Sequence, residues 1–314
     1  MTAMTSDTAR QAPAATVSGL ALAVVSATSF GLSGALASGL LASGWSPGAV
    51  VLVRIALAAA VLAPFGIVSL RGRWDLVRRS AGTITVYGLL AVAGAQLAYF
   101  SAIATMPVGP AILLEYTAPL AVVGWMWARH RLRPTRLTVV GAGVAAAGLV
   151  LVLDLLHGTT LSTAGVLWAL GAMVGAATYF VLSADRSTGL PPLTLAAGGL
   201  LVGGAVLGAS GAVGLLPLRW SAAPATYAGH AFHPALPLLA LGLVTAALAY
   251  ATGIAASRRL GSRLASFVAL LEVVAGTVFA WLLLGQAAGP GQVLGGALVV
   301  VGVVVVRLGE RRAP

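Results

Sequence analysis

The chain has 314 residues, 59% hydrophobic and 8% charged, with no cysteine and a mean hydropathy of +1.01. Soluble domains carry about 25% charged residues and disordered chains are polar throughout, so the composition leaves an integral membrane protein. The formal charge of +11 does not point to nucleic acid, because the basic residues, all arginine, lie between apolar runs and not on a soluble module.

Residues 1–16 are polar or small and read as a disordered cytoplasmic tail. Ten apolar stretches follow, each near the roughly 20 residues that cross a bilayer. They are 17–41, 48–70, 84–104, 108–128, 137–153, 164–183, 192–213, 236–256, 264–284 and 290–308. Their Ala, Leu, Val and Gly do not alternate with period two, which predicts an all-α protein and not a membrane barrel. The first stretch is longer than the signal-peptide apolar region of roughly 7–15 residues and reads as an uncleaved helix. Only the connection 214–235 is long, and residues 309–314 form a second cytoplasmic tail.

Arginine placement tests the count of spans. With the N-terminus in the cytoplasm, the inside segments hold Arg10, then Arg71, Arg73, Arg78 and Arg79, then Arg129, Arg131, Arg133 and Arg136, then Arg186, then Arg258, Arg259 and Arg263, and finally Arg307, Arg311 and Arg312. The outside loops hold only Arg219, and Arg54 lies within a span. This predicts a multi-pass protein of the cytoplasmic membrane with both termini in the cytoplasm.

The chain also matches itself at an offset of 154. Met106 aligns with Leu260, Ala111 with Ala265, Trp125 with Phe279, Gly141 with Gly295 and Gly148 with Gly302. The expected units are 17–153 and 164–308. Five spans per unit is an odd number, so the second must enter the membrane from the opposite side. Inverted repeats of this kind build many secondary transporters, whose two halves exchange roles around a midplane site.

Several stretches resemble the EamA family of the drug/metabolite transporter superfamily: Leu113–Leu120 (LLEYTAPL), Arg258–Ser266 leading into Leu271–Val274, the ending Leu283–Gln286, and Gly295–Gly302. The first of these is most similar to the branch with threonine/homoserine exporters. The resemblance implies ten helices, N-in and C-in, and export of small metabolites such as amino acids. Two positions depart from the family pattern: Val273 stands where Pro is usual, and Gln286 where Glu is usual.

Of seven acidic residues only Glu115 and Glu272 fall deep in spans. A charge at the bilayer centre costs about 2.5–3.5 kcal/mol on insertion scales, so such a group faces a cavity or a partner. Glu115 and Arg54 lie at matching depth, roughly 10 Å from the outer surface at about 1.5 Å per residue, and read as a candidate ion pair. The alternative is that Arg54 orients a substrate carboxylate. Glu272 has no evident cationic mate and is the candidate for proton coupling. Gln96, Tyr99, Tyr116, Trp168, Tyr179 and Tyr250 complete the candidate substrate-binding or coupling set, with Tyr99 and Tyr250 expected as a pseudo-symmetric pair. Trp125, Trp127, Trp220 and Trp281 read as interface anchors or loop residues. Gly199-x-x-x-Gly203 and Gly204-x-x-x-Gly208 read as helix packing within the monomer.

Competing chemistries are weaker. Gly31-Leu32-Ser33-Gly34 and Gly208-Ala209-Ser210-Gly211 fit the nucleophile motif of intramembrane serine proteases, but His130, His157, His230 and His233 all fall in loops or at a helix end, away from any such serine. His230 and His233 lack a third ligand for a metal. Without lysine there is no phosphate-binding ATPase loop. No cofactor is expected. The reading is therefore a carrier of a small-molecule substrate in the lipid bilayer, drawing on a gradient such as protons, with a lipid scramblase or interaction subunit as the alternative.

Overall fold

The computed structural model describes residues 5–118, 121, 135–152 and 162–310. In chain order the helices are α1 (Thr5–Ala42), α2 (Pro47–Leu70), α3 (Trp74–Arg79), α4 (Ala81–Val86), α5 (Ala95–Ile103), α6 (Val108–Glu115), α7 (Arg136–Val152), α8 (Thr163–Ala184), α9 (Pro192–Ala212), α10 (Ala235–Gly242), α11 (Ala249–Val268), α12 (Leu271–Leu284) and α13 (Pro290–Glu310). Two π-helical segments, Tyr87–Gly94 and Leu243–Leu248, join α4 to α5 and α10 to α11. Between α9 and α10, β1 (Ala225–Tyr227) pairs antiparallel with β2 (His230–Phe232). Six helical runs are long and apolar enough to cross a membrane: Val17–Ala42, Pro47–Leu70, Ala81–Ile103, Thr163–Ala184, Pro192–Ala212 and Ala235–Gly261.

Local chemistry sets the ends. Ser46 caps α2 by accepting from the Ala49 amide, with Pro47 at the first helical position, where its missing N–H costs nothing. Ser162 caps α8 through the Gly165 amide. Gly285, at φ 68°, ends α12 in the left-handed conformation that favours glycine.

The structure departs from the expected spans in three places. The first helix runs back to Thr5, so residues 5–16, expected as a loose tail, carry helical backbone; their alanines extend the apolar helix that begins at Val17. The expected span 264–284 is interrupted. Helix α11 continues past Gly261, which at φ 80° breaks its regularity, and a turn at Ala269–Leu270 precedes α12. The expected span 108–128 is likewise interrupted, by a turn at Tyr116–Thr117, with helix again at Ala118 and Ala121. Thr117 turns its hydroxyl back onto the Leu114 carbonyl. The remainder of that stretch, with Trp125 and Trp127, lies outside the described residues, as do His130 and His157.

The repeat organises the packing. Helix α2 lies on α9 and α7 on α13, each a helix with its repeat mate, and α6 packs against α12, which belongs to the matching span of the second repeat. Helix α1 packs on α11 and α12, and α8, in the corresponding place of the second repeat, packs on α5 and α6. Helices α2 and α9 are antiparallel: Gly66 meets Leu193 and Ala197 near one end, and Gly48 meets Leu216 at the other. Gly199 and Gly203 close on Tyr87, Val92 and the Gly88 carbonyl, and Gly204 on Ile55, all within the monomer. Gly302 sits on the backbone of Gly141 and Ala145, where an added Cβ would lie 2.6 Å from the Gly141 oxygen.

The two ends differ in charge. One end carries the β-hairpin and, of the described arginines, only Arg219. Here Ser46 donates to the Pro217 carbonyl and accepts from the Arg219 amide. Trp45 meets Trp220 edge-on, and the Ala228 amide donates to the Leu283 carbonyl. Tyr227 donates to the Leu36 carbonyl, and burial pushes its phenol above the ordinary range. Gln286 accepts from the Val108 amide at the start of α6. The opposite end carries α3 and the α8–α9 connection, with Arg71, Arg73, Arg78, Arg79, Arg186, Arg258 and Arg259. There Arg258 donates to the carbonyls of Ser183 and Leu190.

Candidate functional site

The site lies where the irregular segments meet. Helix α1 crosses α12 at Gly31 and Gly276. A Cβ on Gly31 would stand 2.9 Å from the Gly276 nitrogen and 3.0 Å from the Glu272 oxygen, so only glycine permits the approach. The crossing brings Glu272, in the first turn of α12, against a central cavity. Tyr116, in the turn that ends α6, donates its hydroxyl to the Glu272 carboxylate. The two breaks are repeat mates, since Tyr116 plus 154 is Leu270. Each deep acid therefore sits beside one of two equivalent interruptions, Glu115 before the first and Glu272 after the second. Discontinuous helices near the midplane are where carriers of this plan place their binding groups.

The π-helical segments obey the same offset, since 89–94 maps onto 243–248. Such segments leave carbonyls free of regular helix bonding and recur at functional sites. Two of these carbonyls, Ala91 and Thr245, are also 154 apart, and each accepts a side chain from elsewhere in the protein. Tyr250 donates to the Ala91 oxygen at 3.2 Å. Arg54 donates to the Thr245 oxygen. Gln96 completes the chain, donating from Nε2 to the Tyr250 hydroxyl at 2.8 Å across a separation of 154 residues.

Arg54 is among the most buried side chains, at 2% exposure. Its guanidinium carbon lies 5.3 Å from the ring centre of Phe100 and 6.0 Å from that of Phe30. Glu115 and Glu272 act on it through their fields. Among the described residues the only ion pair is the exposed Arg79–Asp75 contact. The expected Arg54–Glu115 pair is therefore not formed: a backbone carbonyl and two aromatic faces hold the guanidinium, and its Nε has no hydrogen-bond partner. Glu115 keeps partial exposure to the cavity. The Tyr99 hydroxyl and the Gln96 Oε1 are also buried without partners. Buried polar atoms nearly always find a hydrogen bond; four that lack one, the Tyr179 hydroxyl being the fourth, belong to side chains lining a single cavity.

The cavity is lined by Arg54, Gln96, Tyr99, Glu115, Tyr116, Tyr179, Tyr250 and Glu272, together with Phe30, Phe180, Ser26, Ser33 and Ser257. Its volume is about 80 Å³, about half that of a cavity that takes one benzene, ~150 Å³. The site is constricted in this state. Its lining extends further to one side, as repeat mates show. Ala256, Ser257 and Ala265, toward the arginine-rich end, line the cavity. Their mates Ala102, Ile103 and Ala111, toward the hairpin end, do not line it, although both sets are equally buried.

The structure thus gathers eight of the nine sequence candidates around one cavity. Trp168 is not among them: it is 45% exposed on α8 and borders an apolar lateral groove with Leu90, Gly94 and Leu167. Nor are Tyr99 and Tyr250 repeat mates. At the offset of 154, Tyr250 corresponds to Gln96, and Tyr99 to Gly253. The space a side chain at Gly253 would fill is taken by the Tyr179 hydroxyl and by Ser26. Glu272 has a hydroxyl partner, Tyr116, and no cation in contact among the described residues. Sequence reasoning missed Phe30 and Phe100 around Arg54, and the Thr245 carbonyl. No residue type marks a free carbonyl, but the offset applied to Ala91 leads to it. Trp220 and Trp281 are exposed, at 54% and 58%. His230 and His233 flank the hairpin tip and its exit, both exposed. Ser33 lines the cavity, and neither of the described histidines, His230 and His233, does.

Two repeats of membrane-crossing helices around a polar midplane cavity define a membrane transporter fold. The sequence profile of the EamA-like transporter family matches residues 17–154 and 163–308. The chain belongs to that family. Among curated proteins none matches the sequence. Sixteen chains of solved structures match the fold. One, described only as a crystal structure of a protein, has a TM-score of 0.66 and 22% identity, covering 96% of this chain and 98% of its own. At that identity the likeness concerns the fold alone.

Proposed function

We propose that this protein is a ten-span secondary transporter of the cytoplasmic membrane, with both termini inside, that exports small polar metabolites by alternating access. The observation that carries the reading is Arg54: a cation buried at midplane depth, held by a carbonyl and two rings, with no carboxylate in contact. An uncompensated charge at this depth is a functional feature by default. A solute carboxylate is its natural counter-ion, and Glu115, the Tyr99 hydroxyl and the Gln96 Oε1 face the same space and suit an ammonium or hydroxyl group. This favours amino acids or close relatives as cargo. The arginine-rich end, taken as cytoplasmic, is the end toward which the cavity extends, so the present state is one that loads from inside.

Glu272 supplies the coupling. It is the buried acid with a single hydroxyl partner, and its carboxyl can take up and release a proton as the cavity alternates. The test is transport driven by an imposed pH gradient in proteoliposomes, with a panel of labelled amino acids. Wild type is expected to move one or a few of them against their gradients. Glu272→Gln is expected to lose the response to the pH gradient. A Glu272→Gln protein that accumulates solute as wild type does, with the same pH dependence, would remove Glu272 from the coupling.

A further inference from the structure

We infer that Gln96 and Tyr250 form a relay that reverses its polarity when the carrier changes state, passing its terminal hydrogen bond from the Ala91 carbonyl to the Thr245 carbonyl. The inference rests on the alternating-access reading above and names the side chains that hold each state.

In the present state the relay runs in one direction. Gln96 Nε2 donates to the Tyr250 hydroxyl, and that hydroxyl donates to Ala91 O in the first π-helical segment. Three repeat mates are involved: Gln96 with Tyr250, Ala91 with Thr245, and the two π-helical segments with each other. An inverted-repeat carrier reaches its second state when each half takes the conformation of the other. Exchanging mates in this network gives a definite result. Tyr250 donates to Gln96, and Gln96 donates to Thr245 O.

Both residues have the chemistry for either direction. A phenol donates and accepts, and a glutamine amide carries two donors and an acceptor. The acceptor needed for the exchanged state, Gln96 Oε1, is buried with no partner now. Thr245 O is present and engaged by Arg54. Arg54 has no cationic counterpart, since α9, the repeat mate of α2, carries no basic residue, so it is the part of the network that the exchange must disturb. Gln96 arriving at Thr245 O loosens the guanidinium and ties its availability to the state of the carrier. The lining asymmetry agrees with the present direction: Ser257 lines the cavity, and its mate Ile103 does not.

The relay predicts opposite effects for two small deletions of polar groups. Tyr250→Phe removes the terminal bond of the present state and keeps Gln96 available for Thr245 O. Gln96→Leu removes the terminal bond of the exchanged state and keeps Tyr250 on Ala91 O. The native chain has no cysteine, so single reporters are clean. Ser257→Cys and Ile103→Cys would be introduced separately into wild type and into each variant, and maleimide labelling rates measured in detergent, where both ends are reachable. The rate ratio of the Ser257 to the Ile103 reporter is expected to rise about fivefold in Gln96→Leu and to fall about fivefold in Tyr250→Phe, the equilibrium worth of one net hydrogen bond. Shifts in the same direction, or none in either variant, would overturn the relay. If the Ile103 reporter is unreactive in wild type and in both variants, with and without the amino-acid panel, alternating access itself fails.

Discussion

Replacing Arg54 with methionine separates a binding role from a structural one. The substitution gives up one charge-assisted hydrogen bond to Thr245 O, about 1.5–3 kcal/mol. It also gives up two ring contacts, at 5.3 and 6.0 Å, about 0.5–2 kcal/mol each. Against this it relieves a charge held at membrane depth, about 2.5–3.5 kcal/mol. The balance is a loss of about 1–2 kcal/mol, which for a large domain lowers Tm by no more than about 8 °C. Were Arg54 half of a buried ion pair, removing it would leave an uncompensated acid and cost about 3–5 kcal/mol. The assay is thermal unfolding followed by tryptophan fluorescence in detergent, with solute accumulation measured on the same preparations. The expected result is a small change in Tm with accumulation lost. A fall in Tm beyond about 10 °C that Glu115→Gln restores would refute the reasoning, because it would show the two charges paired.

Other consequences follow from single contacts. Gly302→Ala forces α13 off the Gly141–Ala145 backbone and should cost about 1–3 kcal/mol. Gly296→Ala, with nothing within 4 Å of its added methyl, should be near neutral; equal effects in thermal unfolding would contradict the packing. Gly253→Ala drives a methyl into the Tyr179 hydroxyl and Ser26, and should lower Tm and transport together. Adding Tyr179→Phe should recover part of both, and no recovery would place the clash elsewhere. Tyr227→Phe loses the bond to Leu36 O, about 1 kcal/mol. Because burial raises the Tyr227 phenol above its ordinary range, its contribution is complete below the unfolded value, about 10, and fades as pH rises beyond it. The stability difference between wild type and Tyr227→Phe should therefore shrink in alkaline solution, and a difference that grows would reverse the sign.

The helical plan was legible because bilayer thickness and the placement of arginine constrain it strongly. The expected limits 48–70, 137–153, 164–183 and 192–213 differ from the observed helices by one residue or so at each end. What hydropathy could not register was interruption. The breaks at Tyr116–Thr117 and Ala269–Leu270 and the two π-helical segments occur inside uniformly apolar sequence, and window averages pass over them. Arg54, Glu115 and Glu272 stood out because charge at that depth is costly. Their pairing did not, because partner choice depends on which carbonyls the π-helical segments free, and Thr245 O, not Glu115, takes the guanidinium. Trp168 was misplaced for a related reason: an amphipathic aromatic suits a cavity and a lipid face equally well, and only the rotation of α8 decides between them.

The most direct test is counterflow in proteoliposomes preloaded with pooled amino acids, comparing wild type, Arg54→Met and Trp168→Ala. The account predicts that wild type and Trp168→Ala accumulate the same one or few labelled amino acids, and that Arg54→Met does not. Accumulation by Arg54→Met at the wild-type level would contradict the claim that this cavity carries the solute, and no accumulation by wild type of any amino acid would contradict the proposed cargo.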